Sequence, residues 1–120
     1  KKSMRLTPFH PAWYVNRLAE ALIMMGEYEE AKIVLTTLLA NETEGAVNLR
    51  EKSRALVALS VIEGLQGDMK SGKEKIKELR LINPNFNISS VKRYLGLMSD
   101  KVFLARYLDT AEAMGLQKVN

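Results

Sequence analysis

Along most of this chain apolar residues return about every three to four positions, the period of a helix buried along one face. Turn-forming residues break the pattern at Pro8 and Pro11, Gly26, Asn41 to Gly45, Gly67-Asp68, Asn83-Pro84-Asn85 and Gly115. Between the breaks the periodicity predicts six helices: about Pro11 to Met25, Tyr28 to Ala40, Ala46 to Gln66, Met69 to Ile82, Ser90 to Met98, and from after Asp100 to Met114. The expected inward positions are Leu18, Leu22 and Met25 in the first helix and Ala31, Leu35, Leu38 and Leu39 in the second. They are Leu49, Leu56, Leu59, Ile62 and Leu65 in the third, Gly72, Ile76 and Leu79 in the fourth, and Leu104, Tyr107, Leu108 and Ala111 in the last.

The ends of these segments carry helix-terminating chemistry. Pro11 suits a first helical turn, where its missing N–H costs nothing. Ser89 and Asp100 are placed as N-caps, their side-chain oxygens available to free backbone N–H groups. Pro84 disfavours helical backbone in the residue before it. Gly115 can take the left-handed conformation that closes a helix, with Leu116 folding back as the accompanying apolar contact. No segment alternates apolar and polar residues for long, and no Asn-Gly or Asp-Gly hairpin turn occurs, so the fold class expected is all-α.

Two segments share a layout. Gly26-Glu27-Tyr28-Glu29-Glu30-Ala31 and Gly67-Asp68-Met69-Lys70-Ser71-Gly72 each run glycine, acid, bulky residue, two polar residues, then a residue with little or no side chain. The glycine permits a sharp turn between antiparallel helices, the bulky residue seals it, and the small residue lets the helices approach. This is the helix-turn-helix unit of the tetratricopeptide repeat. Leu18, Ala19 and Leu22 followed by Ala31, Leu35 and Leu38 fill the first copy; Leu56, Leu59 and Ser60 followed by Gly72, Ile76, Leu79 and Pro84 fill the second. Thr43 replaces the closing proline of the first copy, and Glu63 stands where a large apolar residue is usual in the second. The turn glycines lie 41 residues apart, longer than the strict repeat of about 34, so extra residues sit near Asn41 to Arg50. The expected architecture is a tetratricopeptide-like solenoid of antiparallel helix pairs in one domain over 1–120. Its repeats fall at about 11–43 and 46–84, and a capping helix pair at about 88–116.

Leu6-Thr7-Pro8-Phe9-His10-Pro11-Ala12-Trp13-Tyr14, Leu81-Ile82-Asn83-Pro84-Asn85-Phe86, and Leu108 to Leu116 with its Ala113-Met114-Gly115-Leu116 ending form a set. Together they resemble the C-terminal tetratricopeptide region of bacterial class III adenylate/guanylate cyclase-like proteins. There a Pro-Ala-Trp-Tyr segment opens a repeat, Asn-Pro-x-Phe ends the last full one, and an Ala-x-Gly-Leu-like tail closes the final pair. The resemblance spans nearly the whole chain and implies a bacterial, cytoplasmic signalling protein whose catalytic part is absent here. Similar regions also follow winged-helix DNA-binding domains in bacterial transcriptional regulators, which is the alternative parent. Either way the chain is expected to be a protein-interaction or assembly module and not an enzyme. Its expected partners are a protein, a peptide or other domains of the parent.

Composition narrows the picture modestly. The chain has 120 residues, 47% apolar and 27% charged, enough for one ordinary hydrophobic core. It begins Lys1-Lys2-Ser3-Met4, which suggests a piece of a longer protein, and shows no signal peptide there. The longest apolar runs, such as Ala21 to Met25, are too short to cross a bilayer. Without cysteine, disulfides and thiolate metal sites are excluded. The net charge of +4, from 18 basic and 14 acidic residues, is mild for a nucleic-acid binder, and that partner is disfavoured.

Candidate chemistry is sparse. His10 lacks the second and third ligands that a metal site needs. No phosphate-binding Gly-x-x-x-x-Gly-Lys-Ser/Thr loop and no nucleophile elbow occur, so neither cofactor nor catalytic residue is expected. Glu27, Glu29 and Glu30 suit the positive end of a helix dipole. Lys70, Lys73, Lys77 and Arg80 form a candidate basic stripe, with Glu74 and Glu78 interleaved for pairing along the helix. Trp13, Asn16 and Glu20, with Arg54 of the second repeat, are the candidate lining of a concave peptide groove. Alternatively Trp13 packs on an upstream repeat or on the tail Met4 to Phe9. Loss of an upstream repeat would expose apolar surface and favour a homodimer.

Overall fold

A computed structural model describes residues 11–40, 49–96 and 100–118. Among these the protein is entirely helical: α1 (Ala12–Met24), α2 (Tyr28–Ala40), α3 (Leu49–Leu65), α4 (Met69–Ile82), α5 (Ile88–Leu95) and α6 (Lys101–Ala113). No helix among them is long and apolar enough to cross a membrane. The loop expected at Asn41 to Gly45, the first turn of the third predicted helix at 46–48, the end of the fifth at Met98, and His10 lie outside the described residues.

Three turns repeat one motif. Gly26, Gly67 and Gly115 are the described residues with positive φ, at 80°, 89° and 113°. In each case the N–H after the glycine reaches back to a carbonyl inside the last turn. Glu27 N–H bonds to Leu22 C=O at 2.8 Å, Asp68 N–H to Glu63 C=O at 2.8 Å, and Leu116 N–H to Ala111 C=O at 3.1 Å. That is the six-to-one bond of the Schellman motif, which needs a left-handed residue and therefore favours glycine. The first two turns are short enough to reverse the chain, and α1 packs on α2 as α3 packs on α4.

α3 is the centre of the molecule. It contacts α1, α2, α4 and α6, and every residue from Ser53 to Ile62 is buried. The expected one-sided stripe is therefore too narrow: Ala55, Val57, Ala58 and Val61 are as buried as Leu56, Leu59 and Ile62. Each large aliphatic side chain buried in this way contributes about 1.5–3 kcal/mol. The last helix closes the fold through two glycines. A Cβ on Gly72 would overlap Met114 Sδ and sit 3.1 Å from the Ser60 carbonyl; one on Gly64 would lie 2.6 Å from Thr110 Cγ2. Met114 and Leu116 are buried, Leu116 as the C-terminal pattern predicts.

Several details depart from the sequence expectation. Pro11 is the N-cap position, with extended ψ of 151°, and α1 begins at Ala12. Met25 is 63% exposed because it follows the last helical turn, and Leu49, the first residue of α3, is 49% exposed. The N-cap of α5 is Asn87, not Ser89: the side-chain Oδ1 of Asn87 accepts from Ser90 N–H at 3.1 Å while Ser90 Oγ accepts from Asn87 N–H at 3.2 Å. This reciprocal box begins the helix two residues early. Asp100 caps α6 as expected, accepting from Phe103 N–H at 3.0 Å. Asp68 caps α4 through both the N–H and the hydroxyl of Ser71, and these bonds hold its carboxyl below the usual value.

Candidate functional site

The polar residues of α1 and α3 meet inside the fold. Arg54 donates to both oxygens of Glu20, Nε to Oε2 at 2.8 Å and Nη2 to Oε1 at 2.7 Å, a two-pronged pair that needs the planar guanidinium. Asn16, one turn before Glu20 on the same face, donates its Nδ2 to the Glu51 carbonyl and to Glu51 Oε1, both at 3.0 Å. Glu51 Oε1 also lies 3.9 Å from Arg54 Nη1. Helical spacing explains the cluster: Glu51 and Arg54 are three apart on α3, Asn16 and Glu20 four apart on α1, so the facing stripes interdigitate. Arg54 also sits against the Tyr94 ring of α5, with its central carbon 4.3 Å from the ring centroid.

Burial sets the electrostatics. Asn16 is fully buried, Glu20 2% exposed and Arg54 8% exposed. Burial pushes the Glu20 carboxyl up, against the pull of Arg54, whose hydrogen bonds and charge lower it. Burial also opposes the charge on Arg54, but its contacts with Glu20 outweigh this and hold the guanidinium above its ordinary value. Burial likewise raises the phenols of Tyr94 and Tyr107 well above the usual range, so both stay neutral. Asn16 Oδ1 and both of these hydroxyls are buried without a hydrogen-bond partner among the described residues.

Beside this cluster opens a concavity of about 370 Å³. Leu49 and Arg50 of α3 form one wall, Asn83 and Phe86 of the α4–α5 connection another, and Ser90, Arg93 and Tyr94 of α5 the third. Asn83 is anchored by donating to Ser53 Oγ at 2.9 Å, and Ser53 in turn donates to the Leu49 carbonyl at 2.8 Å. Phe86 packs beside Tyr94 with ring centroids 6.4 Å apart.

The residues singled out from the sequence separate accordingly. Asn16, Glu20 and Arg54 lie together and are buried: Arg54 bonds to Glu20, and Asn16 is tied to Arg54 through Glu51. Trp13 is not with them: it is 54% exposed and meets Tyr14 edge-on at 6.0 Å. Of the basic stripe, Lys70, Lys73, Lys77 and Arg80 are all exposed on α4. Arg80 is committed to the fold, donating to the Gly115 carbonyl at 2.8 Å. Glu74 and Glu78 form no ion pair with the stripe lysines among the described residues. The acidic turn is structural in one respect: Lys32 lies 3.9 Å from Glu29 and 3.6 Å from Glu63, which ties α2 to α3 and explains a carboxylate at Glu63. Glu51, Tyr94, Arg50 and Arg93 were missed. The three-residue spacing of Glu51 and Arg54 was a usable signal; nothing local marks Tyr94 as their cover.

Among the described residues no group of three or more His, Asp or Glu is placed to hold a metal ion. No family model matches the chain, and neither a curated protein nor a solved structure is found to be similar to it.

Proposed function

We propose that this chain is a tetratricopeptide-type interaction module, without catalytic activity of its own, that serves as the regulatory or assembly region of a bacterial cyclase-like signalling protein. One observation carries the reading: α3, the first helix of one glycine-hinged hairpin, packs against both helices of the preceding one, α1 and α2, as well as against α4 and α6. Side-by-side stacking of this kind is how helical-repeat scaffolds grow, with each hairpin burying the face of its neighbour. The first hairpin exposes large apolar side chains: Trp13, Met24, Met25 and Ile33 are between 41% and 66% exposed. Apolar side chains exposed on this hairpin support contact with further protein, either another part of the parent or a partner.

The test is capture on the immobilised chain, with retained polypeptides identified and the variant Trp13→Ser with Ile33→Ser run in parallel. A defined polypeptide held by the wild-type chain and lost from the variant, with helicity unchanged, is the expected result. Retention of nothing beyond the bare matrix contradicts the reading. The reading frame of the full parent gene then decides the setting: a nucleotide cyclase domain upstream agrees with the proposal, and a winged-helix domain replaces it with a transcriptional regulator.

A further inference from the structure

We propose that the concavity between α3, α5 and the α4–α5 connection is a binding site for a small organic anion, a carboxylate or phosphate borne on an apolar body. Arg50 and Arg93 come from different helices yet line the same cavity, and among the described residues no carboxylate lines it with them. Neither guanidinium forms an ion pair among the described residues. The contrast with Arg54 a turn away is direct, since Glu20 neutralises that charge inside the fold. Two like charges gathered in one recess repel each other, and an anion between them reverses the sign of that interaction. Guanidinium groups match carboxylate and phosphate oxygens in a planar fork.

The remaining walls fit the rest of such a ligand. Phe86 and Leu49 offer apolar surface, and Ser90 a hydroxyl. Tyr94 also lines the cavity. A volume of about 370 Å³ falls within the range of small-molecule sites, which are mostly apolar with a few convergent polar groups. The floor is rigid: Asn83 is held by Ser53, and Tyr94 rests on the Arg54 guanidinium. This site does not depend on the interaction role proposed above.

The experiment titrates the full chain with phenyl phosphate, with benzoate and with the neutral isostere benzamide, following backbone amide shifts by NMR. We expect at least one anion to shift amides between Asn83 and Tyr94 saturably, and the tighter of the two to identify the head group. Benzamide should bind about tenfold more weakly or worse. Arg50→Gln with Arg93→Gln should weaken the anion about tenfold or more, while Lys73→Gln with Lys77→Gln, an equal change of charge, stays within about twofold. All four side chains are exposed, so neither variant disturbs the core. Equal weakening by both double variants, or benzamide binding as tightly as benzoate, overturns the proposal. So does failure of both anions to saturate, including the case where an oligoglutamate peptide saturates instead and marks a protein-docking surface.

Discussion

Ser60 of α3 donates its hydroxyl to the backbone carbonyl of Gly72 in α4 at 2.8 Å, at the point where the second hairpin closes. Both residues are buried, and the Met114 side chain from the C-terminal turn lies over the same glycine. Gly72→Ala sets two effects against each other. Helix propensity would gain about 1 kcal/mol. The new Cβ, however, meets the Ser60 backbone carbonyl, which cannot swing away as the Met114 side chain can, and overpacking costs about 1–3 kcal/mol. We expect net destabilisation in urea unfolding. Met114→Ala in the same chain should recover part of it, since the two sites share the space. An unchanged or raised midpoint for Gly72→Ala would contradict the crossing.

Ala31 occupies the matching place in the first hairpin and is fully buried. Ala31→Trp should wedge α1 and α2 apart and cost at least about 1–3 kcal/mol, read from the same unfolding curves. A tolerated tryptophan would mean that no helix crosses there.

The start of α5 depends on the Asn87–Ser90 box. Asn87→Ala should cost about 1 kcal/mol and raise amide exchange in the first turn of α5, whereas Ser89→Ala should do neither. A cost from Ser89→Ala with none from Asn87→Ala would return the cap to Ser89.

Arg80 and the lysines of its stripe should behave differently. Arg80→Gln removes the bond to the Gly115 carbonyl, so faster amide exchange is expected at the end of α6, with about 1 kcal/mol or less of global stability lost. Lys70→Gln and Lys77→Gln should leave exchange there unchanged.

The sequence was most legible where backbone chemistry admits few residues. Gly26, Gly67 and Gly115 stand at left-handed positions that disfavour side chains, so they marked three helix ends, and α2 and α4 have the bounds their periodicity predicts. The α5 cap was less legible because Asn87, Ser89 and Ser90 are all competent cappers and only the reciprocal geometry selects the first. α3 was read as one-sided, although its nearly unbroken apolar run from Ala55 to Ile62 is the pattern of a helix buried all round. The repeat pattern puts Asn16, Glu20 and Arg54 on one groove-lining face, whereas their side chains are buried. What buries them includes Tyr94, whose approach depends on how α5 docks, and no local pattern encodes that. Arg50 and Arg93 became a pair for the same reason: only tertiary packing brings them to one recess.

The central claim is that the first hairpin docks on α3 with Glu20 gripping Arg54, and a double-mutant cycle between them tests it most directly. Arg54→Met alone strands a buried carboxylate and should cost about 3–5 kcal/mol, whereas Glu20→Met with Arg54→Met together should cost far less than the two singles summed. A coupling of about 2 kcal/mol or more is the predicted result. Additivity within about 0.5 kcal/mol would mean that the two side chains do not meet and would contradict the stacking of the hairpins.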